Sequence, residues 1–239
     1  MKRIDIKSKL LAATILIALN GCVAYYPQPV DIPLIKEKGD IRYDFGAFII
    51  PNINRTEKTE SQLITEMGFN ATFSAGLTDL LAVQAYTSFD GLARVHLQGA
   101  LGLYKGFDSK TVIEMYGGLG YGNIFFDRNN SNNGGYLLPF MQYNIGKTDF
   151  RNSNTDFGLG LKGGYLKTNN VNDYSETIHQ KNGWMVEPSL FFRLGGQRTK
   201  YSMKVNYLWT KTIIDDYYFP LSVSMGVNLH FGNPSKKKH

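Results

Sequence analysis

The 239-residue chain has one cysteine, Cys22, so no internal disulfide can brace it. Beyond residue 21 no apolar run reaches the roughly 18 residues that mark a membrane-spanning helix. Its four histidines, at positions 96, 179, 230 and 239, form no cluster at metal-ligand spacing, and neither a metal centre nor another cofactor is expected. An excess of charge of either sign is missing from the body as well. The formal charge of +6 is fully accounted for by four bases and one acid before residue 21 and by Lys236-Lys237-Lys238. A nucleic-acid binder carries its cations on the working face, so that class is excluded. Proline is scarce, with eight in all, and three of them (Pro27, Pro29 and Pro33) fall within residues 23–39. That stretch is expected to be irregular.

What is present begins with Lys2, Arg3, Lys7 and Lys9, followed by an apolar segment from Leu10 to Leu19. Basic, then apolar, then small residues is the order of an export signal, and the apolar part is too short to span a bilayer. The sequence Leu19-Asn20-Gly21-Cys22 resembles the lipobox of bacterial lipoproteins. The resemblance implies that the Cys22 thiol is joined to a diacylglycerol, that the chain is cut before it, and that the new N-terminus is acylated, with palmitate as a typical chain. The competing reading is an ordinary signal peptide with an incidental cysteine. The expected organisation is a lipoprotein signal peptide (1–21), an acylated tether (22–39), a barrel (40–231) and a basic tail (232–239).

From residue 40 onward, ten segments alternate at period two, which only a β-strand converts into two opposite faces. The last is the clearest: Val223, Met225, Val227, Leu229 and Phe231 share one face, and Ser224, Gly226, Asn228 and His230 the other. None of the ten apolar faces contains a charge. The opposite faces hold Arg42, Asp44, Glu66, Arg94, His96, Glu114, Lys162, Glu187, Arg193 and Lys204. A soluble barrel would put its charges outside. Lipid outside and a polar interior fit a transmembrane barrel, with aromatics such as Tyr43, Phe73, Tyr121, Trp184, Tyr201 and Trp209 as interfacial girdles. The expected fold is an all-β, antiparallel up-and-down barrel of ten strands, with eight as the alternative count.

Connection lengths alternate in support. Short turns fall near 76–79, 105–109, 147–154 and 195–199, and longer polar links near 51–62, 123–135, 168–182 and 210–217; the short link at 89–92 departs from the pattern. Short periplasmic turns and long outer loops are the rule in outer-membrane barrels, and an even strand count places both termini in the periplasm. The chain resembles the uncharacterised barrel-type lipoproteins of Bacteroidota, through Pro33-Leu34-Ile35-Lys36-Glu37-Lys38-Gly39 and Gly76-Leu77-Thr78-Asp79-Leu80-Leu81-Ala82. That resemblance implies architecture and location, and no activity. Val23-Ala24-Tyr25-Tyr26 after the cysteine lacks the acids expected of a surface-exported lipoprotein, which favours an anchor in the periplasmic leaflet.

The interior charges are near balance and are expected to form a paired network that fills the lumen, because isolated buried charge is costly. Barrels of about eight strands are just filled by side chains, so ten should be mostly plugged. Catalysis has weaker support. His96 and His230 point inward without a serine two residues on, and His179 lies in a link near Asp173 and Glu176. Gly158-Leu159-Gly160-Leu161-Lys162-Gly163 fits GxGxxG but lies within a strand with no helix after it, so it is not a phosphate loop. The inward glycines Gly118, Gly120, Gly122, Gly158, Gly160 and Gly164 are expected to make room for Tyr104, Tyr116 and Phe48. The Asn-rich stretch 129–133 reads as an outer loop. The expected function is a non-catalytic structural or accessory component, with outer loops engaging partner proteins or surface ligands. The alternatives are an outer-membrane hydrolase or lipid A-modifying enzyme, and a soluble lipocalin-like binder. The expected partners are outer-membrane lipids, the barrel-assembly machinery during insertion and other outer-membrane proteins.

Overall fold

A computed structural model describes residues 28–54, 62–90, 94–108, 110–124, 135–150, 154–169, 182–210 and 221–232. Among these residues there is no α-helix. The strands are β1 (Ile41–Asn54), β2 (Gln62–Gly76), β3 (Leu81–Asp90), β4 (Arg94–Gly106), β5 (Thr111–Ile124), β6 (Gly135–Lys147), β7 (Thr155–Asn169), β8 (Gly183–Gly195), β9 (Thr199–Tyr207), β10 (Trp209–Thr210) and β11 (Leu221–His230). Leu208 separates β9 from β10, yet the register runs straight through: Asn206 faces Ser189 and Trp209 faces Val186. The gap lies beside Pro188, which has no N–H to give to a ladder. Pro139 coincides with a similar gap, since the β6–β7 pairing resumes from Leu137 only at Phe140. β9 and β10 are one stave, and the barrel has ten.

Each stave is antiparallel to the next, and β11 pairs with both β9 and β1, which closes the sheet. Closure leaves no row of unpaired backbone groups, as a wall facing hydrocarbon requires. All ten staves expected from the alternation are present, and most run one to five residues past their apolar faces. The ladder continues where the apolar pattern stops.

The side chains confirm the inverted arrangement. Phe69 is 70 % exposed and Leu101 67 %, whereas Arg193 and Glu187 are 0 % exposed. A soluble ligand-binding barrel has the opposite distribution, so the lipocalin-like alternative does not fit this surface. Aromatic contacts gather at both ends of the wall. Tyr43 packs against Phe73 at 5.1 Å and Phe231 at 5.8 Å near the chain ends, and Tyr165 meets Trp184 at 5.2 Å at the far end.

The chain ends of the barrel share one end, the turn end, with the tight connections 77–80, 107–110, 148–154 and 196–198. Side-chain oxygens brace the first two, and the Gly196 N–H donates to the Thr199 carbonyl at 2.7 Å in the last. Thr78 Oγ1 accepts the Leu81 N–H at 2.9 Å. Asp108 Oδ1 accepts the N–H groups of Lys110 and Thr111 at 2.7 and 2.5 Å, and these donors keep its carboxyl below the usual carboxylate range. Asp149 and Asn154 take left-handed backbone conformations, φ +50° and +52°, which such side chains tolerate. Most of each longer link at the opposite, loop end lies outside the described residues. So do Asn129–Asn133 and His179 with its neighbouring acids.

The outward face sets the first prediction. Leu101→Arg, near the middle of β4, should destabilise the barrel in a bilayer by about 2–4 kcal/mol, the cost of a basic residue at the bilayer midplane. Leu101→Ala should cost far less. The midpoint of heat-induced unfolding, read as a gel shift of membrane-embedded protein, measures both.

Candidate functional site: a lumen filled by residues 28–35

The described part of the expected tether, residues 28–39, does not trail outside the barrel. Residues 28–35 are all buried and run along the lumen, without regular secondary structure. Pro29 and Pro33 deny the segment a repeating hydrogen-bond pattern, so its backbone groups must find partners individually. The barrel wall supplies them. The N–H of Gln28 donates to Glu187 Oε1 (3.2 Å), that of Val30 to Asn206 Oδ1 (3.1 Å) and that of Ile35 to Glu114 Oε1 (2.7 Å). The Asp31 carbonyl accepts from Gln142 Nε2 (2.6 Å) and Gln84 Nε2 (3.2 Å). Arg193 donates to the carbonyls of Ile32 (2.8 Å) and Pro33 (3.4 Å). Leu34 sits at φ +57°, a left-handed conformation that L side chains rarely adopt and that costs about 1–2 kcal/mol. It lies immediately before the residue whose N–H meets Glu114.

The segment's side chains have matching seats. Val30, Ile32 and Leu34 cluster with Val112 and Phe191, and Ile35 joins the larger aromatic cluster around Tyr104, Tyr116, Tyr136 and Phe140. Two wall glycines are spaces for the segment: a Cβ on Gly146 would come within 2.8 Å of Leu34, and one on Gly160 within 2.8 Å of Ile32. Of the six inward glycines expected to make room for Tyr104, Tyr116 and Phe48, Gly122 instead clears Tyr136 and Gly158 clears Phe191. Tyr116 and Phe48 rest against Gly102 and Gly68.

The charged groups form three clusters. In the first, Asp31 of the inner segment and Asp44 of β1 share Arg193 and Lys204. Lys204 Nζ lies 3.1 Å from both Asp31 Oδ1 and Asp44 Oδ1, and Arg193 Nη2 lies 3.8 and 3.6 Å from the two acids. The Arg193 guanidinium also stacks on Phe191 at 4.6 Å. In the second, Asp156 takes Lys200 at 2.6 Å and Arg42 at 3.8 Å. In the third, Lys162 pairs with Glu187 at 2.6 Å.

Of the expected interior residues, Arg42, Asp44, Lys162, Glu187, Arg193 and Lys204 therefore meet opposite charges. Glu114 instead holds the Ile35 N–H and Asn144 Nδ2 (3.0 Å). His96 is bonded through Nδ1 to the Tyr136 hydroxyl at 2.6 Å and stacks on its ring. The side chains of Glu66 and Arg94, and Cys22, lie outside the described residues.

Asp31, Asp156 and Lys200 are additional members that the alternation did not reveal. At the turn-end rim, Asp40 is bonded to His230. Burial pushes the Asp40 carboxyl up, but the hydrogen bond from His230 and the charges of Arg42 and His230 outweigh it and hold the group below the ordinary carboxylate range.

This arrangement binds chain to wall, and among the described residues His96 has no serine or cysteine bonded to it. Ser88, opposite His96 in the register, donates to Gln28 Oε1 at 2.6 Å, while the His96 Nδ1 contact goes to Tyr136. Among the described residues no group of histidines, cysteines and acids is placed to hold a metal. The GxGxxG sequence lies within β7, as expected. An apolar depression of about 580 Å³, lined by Tyr43, Phe73, Ala85, Gly99 and Tyr121 among others, lies on the outer wall.

The first charge cluster can be tested directly. Asp31→Asn leaves two buried cations sharing one acid and should cost about 3–5 kcal/mol, the usual penalty for removing one partner of a buried pair. Adding Lys204→Met should recover most of the loss. Heat-induced unfolding of the single and double variants measures the coupling, and equal losses in both would refute the shared-charge arrangement.

No family model and no curated protein matches the chain. Solved structures similar to it include the outer membrane protein OprG from Pseudomonas aeruginosa, 16 % identical over 84 % of this chain and 100 % of that one, with a TM-score of 0.40. Another is Ail, the attachment invasion locus protein of Yersinia pestis, 8 % identical over 81 % of this chain and 99 % of that one, with a TM-score of 0.29. At these values the likenesses carry no argument, and the barrel rests on its own strand pairing and surface.

Proposed function

We propose that the protein is an outer-membrane β-barrel lipoprotein with a closed lumen and a non-catalytic structural or accessory role, exercised through its loop end. The observation that carries this reading is the filling of the lumen by residues 28–35. The space that a channel or a small-molecule binder would use is occupied by the chain itself, tied to the wall by main-chain and charge contacts. The apolar outer face supports residence in a bilayer, and a closed barrel of strands is the form that bacterial outer membranes house. With the lumen filled, the surfaces left for recognition are the loops and the outer wall. Outer-membrane lipids would contact the wall, the barrel-assembly machinery would act at insertion, and other outer-membrane proteins or surface ligands are the partners the loops would engage.

Conductance separates this reading from a pore. The full chain in a planar bilayer should show no steady current, and stable openings would refute a closed lumen. An enzyme reading requires that deletion of the gene change the lipid A or peptide profile of the outer membrane; unchanged profiles are expected.

In this reading the wall itself holds the membrane, and lipid on Cys22 is a second attachment. Cys22→Ser should therefore remain in the outer-membrane fraction. Its appearance in the soluble fraction would show that the lipid is the principal anchor.

A further inference from the structure

The three charge clusters differ in where their acids come from. Lys162 with Glu187, and Arg42 and Lys200 with Asp156, are drawn from the wall alone. The first cluster is one acid short on the wall, and the inner segment supplies it. Four wall groups meet that supplied carboxylate. Lys204 Nζ lies 3.1 Å and Arg193 Nη2 3.8 Å from Asp31 Oδ1, while Ser74 Oγ and Gln84 Nε2 each donate to Asp31 Oδ2 at 3.3 Å. One oxygen takes the two cations and the other takes two neutral donors, which is a full set for a carboxylate.

The four donors stand on four staves, so the ladders fix their backbones without help from the segment. Ser74 of β2 and Gln84 of β3 are direct partners in register, and Arg193 and Lys204 belong to β8 and β9. The two cations are also held by groups other than Asp31. Asp44 lies 3.1 Å from Lys204 and 3.6 Å from Arg193, and it accepts from Ser202 Oγ and Asn228 Nδ2 at 3.3 Å each. The ring of Phe191 carries the Arg193 guanidinium. What the segment adds is delivery: a carboxylate on a tether reaches the site at an effective concentration that free anions do not match.

We propose that Ser74, Gln84, Arg193 and Lys204 form a small-anion site of the barrel wall, suited to a monocarboxylate, with the Asp31 carboxylate as its tethered resident ligand. The inference rests on the closed-lumen reading and deepens it. The segment that fills the lumen is held there as a ligand is held, at a site that the wall builds without it.

The test exchanges the tethered ligand for a free one. Asp31→Ala, in the otherwise full chain, keeps the Cβ and removes only the carboxylate, which leaves a space the size of formate. The variant is refolded and heated in sodium formate and, at equal concentration, in sodium gluconate, whose bulk that space excludes. Formate should raise the unfolding midpoint over gluconate in a saturable way, by about 3–6 °C at ten times its dissociation constant. The unsubstituted chain, with its site filled, should show no such difference. Where Asp31→Ala yields no folded barrel in gluconate, its recovery in formate is the readout, with the same expectation. Adding Lys204→Met removes a donor and the uncompensated charge together, so the double variant should fold in either salt without formate dependence. Equal midpoints or equal yields of Asp31→Ala in the two salts overturn the proposal, and so does a formate effect that persists in the double variant. Steady current through the unsubstituted chain would instead overturn the closed-lumen reading; absent rescue in a chain that passes no current removes the anion site alone.

Discussion

Arg193 and Lys204 stand on two neighbouring staves of a closed tube with one wall carboxylate, Asp44, shared between them. All three are almost completely buried. Two cations and one anion removed from bulk water are an unfavourable set; the Ile32 and Pro33 carbonyls reduce the cost at Arg193, and a further acid reduces it for both bases. Asp31 supplies that acid, and it comes from outside the sheet. The carboxylate is fixed at both ends of its residue, because the Asp31 carbonyl also takes Gln84 and Gln142. The position of the whole inner segment follows from placing this one residue. Toward the N-terminus it sets Gln28 against Ser88 and Glu187, and toward the C-terminus it sets Ile35 against Glu114.

The remaining lumen reads as the complement of an irregular chain. A strand or helix satisfies its own backbone or its neighbour's; a segment with prolines at 29 and 33 can do neither. The wall accordingly presents single acceptors and donors at separate heights: Glu187, Asn206, Arg193 and Glu114, each on a different stretch of strand. Gly146 and Gly160 leave hollows that match Leu34 and Ile32. The fit also ties the plug to the seam of the barrel, because the inner segment leads through the turn-end rim straight into β1, which meets β11, the last strand, to close the sheet.

The wall was legible in the sequence because hydrocarbon enforces a simple rule. Any charge on the outer face is costly, and the resulting charge-free alternation marks all ten staves and the inward direction of Arg42, Asp44, Lys162, Glu187, Arg193 and Lys204. The lumen follows no such rule. Its residues answer to particular partners, and periodicity does not reveal partners. Asp156 and Lys200 pair at 2.6 Å, yet each lies one residue before the apolar face of its strand as read from the sequence. The inner segment had a signal of its own: Val30, Ile32, Leu34 and Ile35 are an apolar set that a solvated tether has no reason to carry. Its prolines correctly marked irregular backbone. They could not distinguish a chain left irregular in water from one held irregular by a wall.

A filled lumen also changes what an N-terminal lipid can contribute. On a soluble domain, acylation provides attachment, and two acyl chains suffice for stable anchoring. The outer wall presents apolar side chains around a closed ring, so in a bilayer an acyl chain on Cys22 would add little to attachment. The inner segment is held in the middle by Asp31 against Lys204 and Arg193, and at the turn-end rim by Asp40 with His230. Drawing it out toward the turn end would leave both buried cations with Asp44 alone between them, and removing one partner from a buried charge set is strongly destabilising.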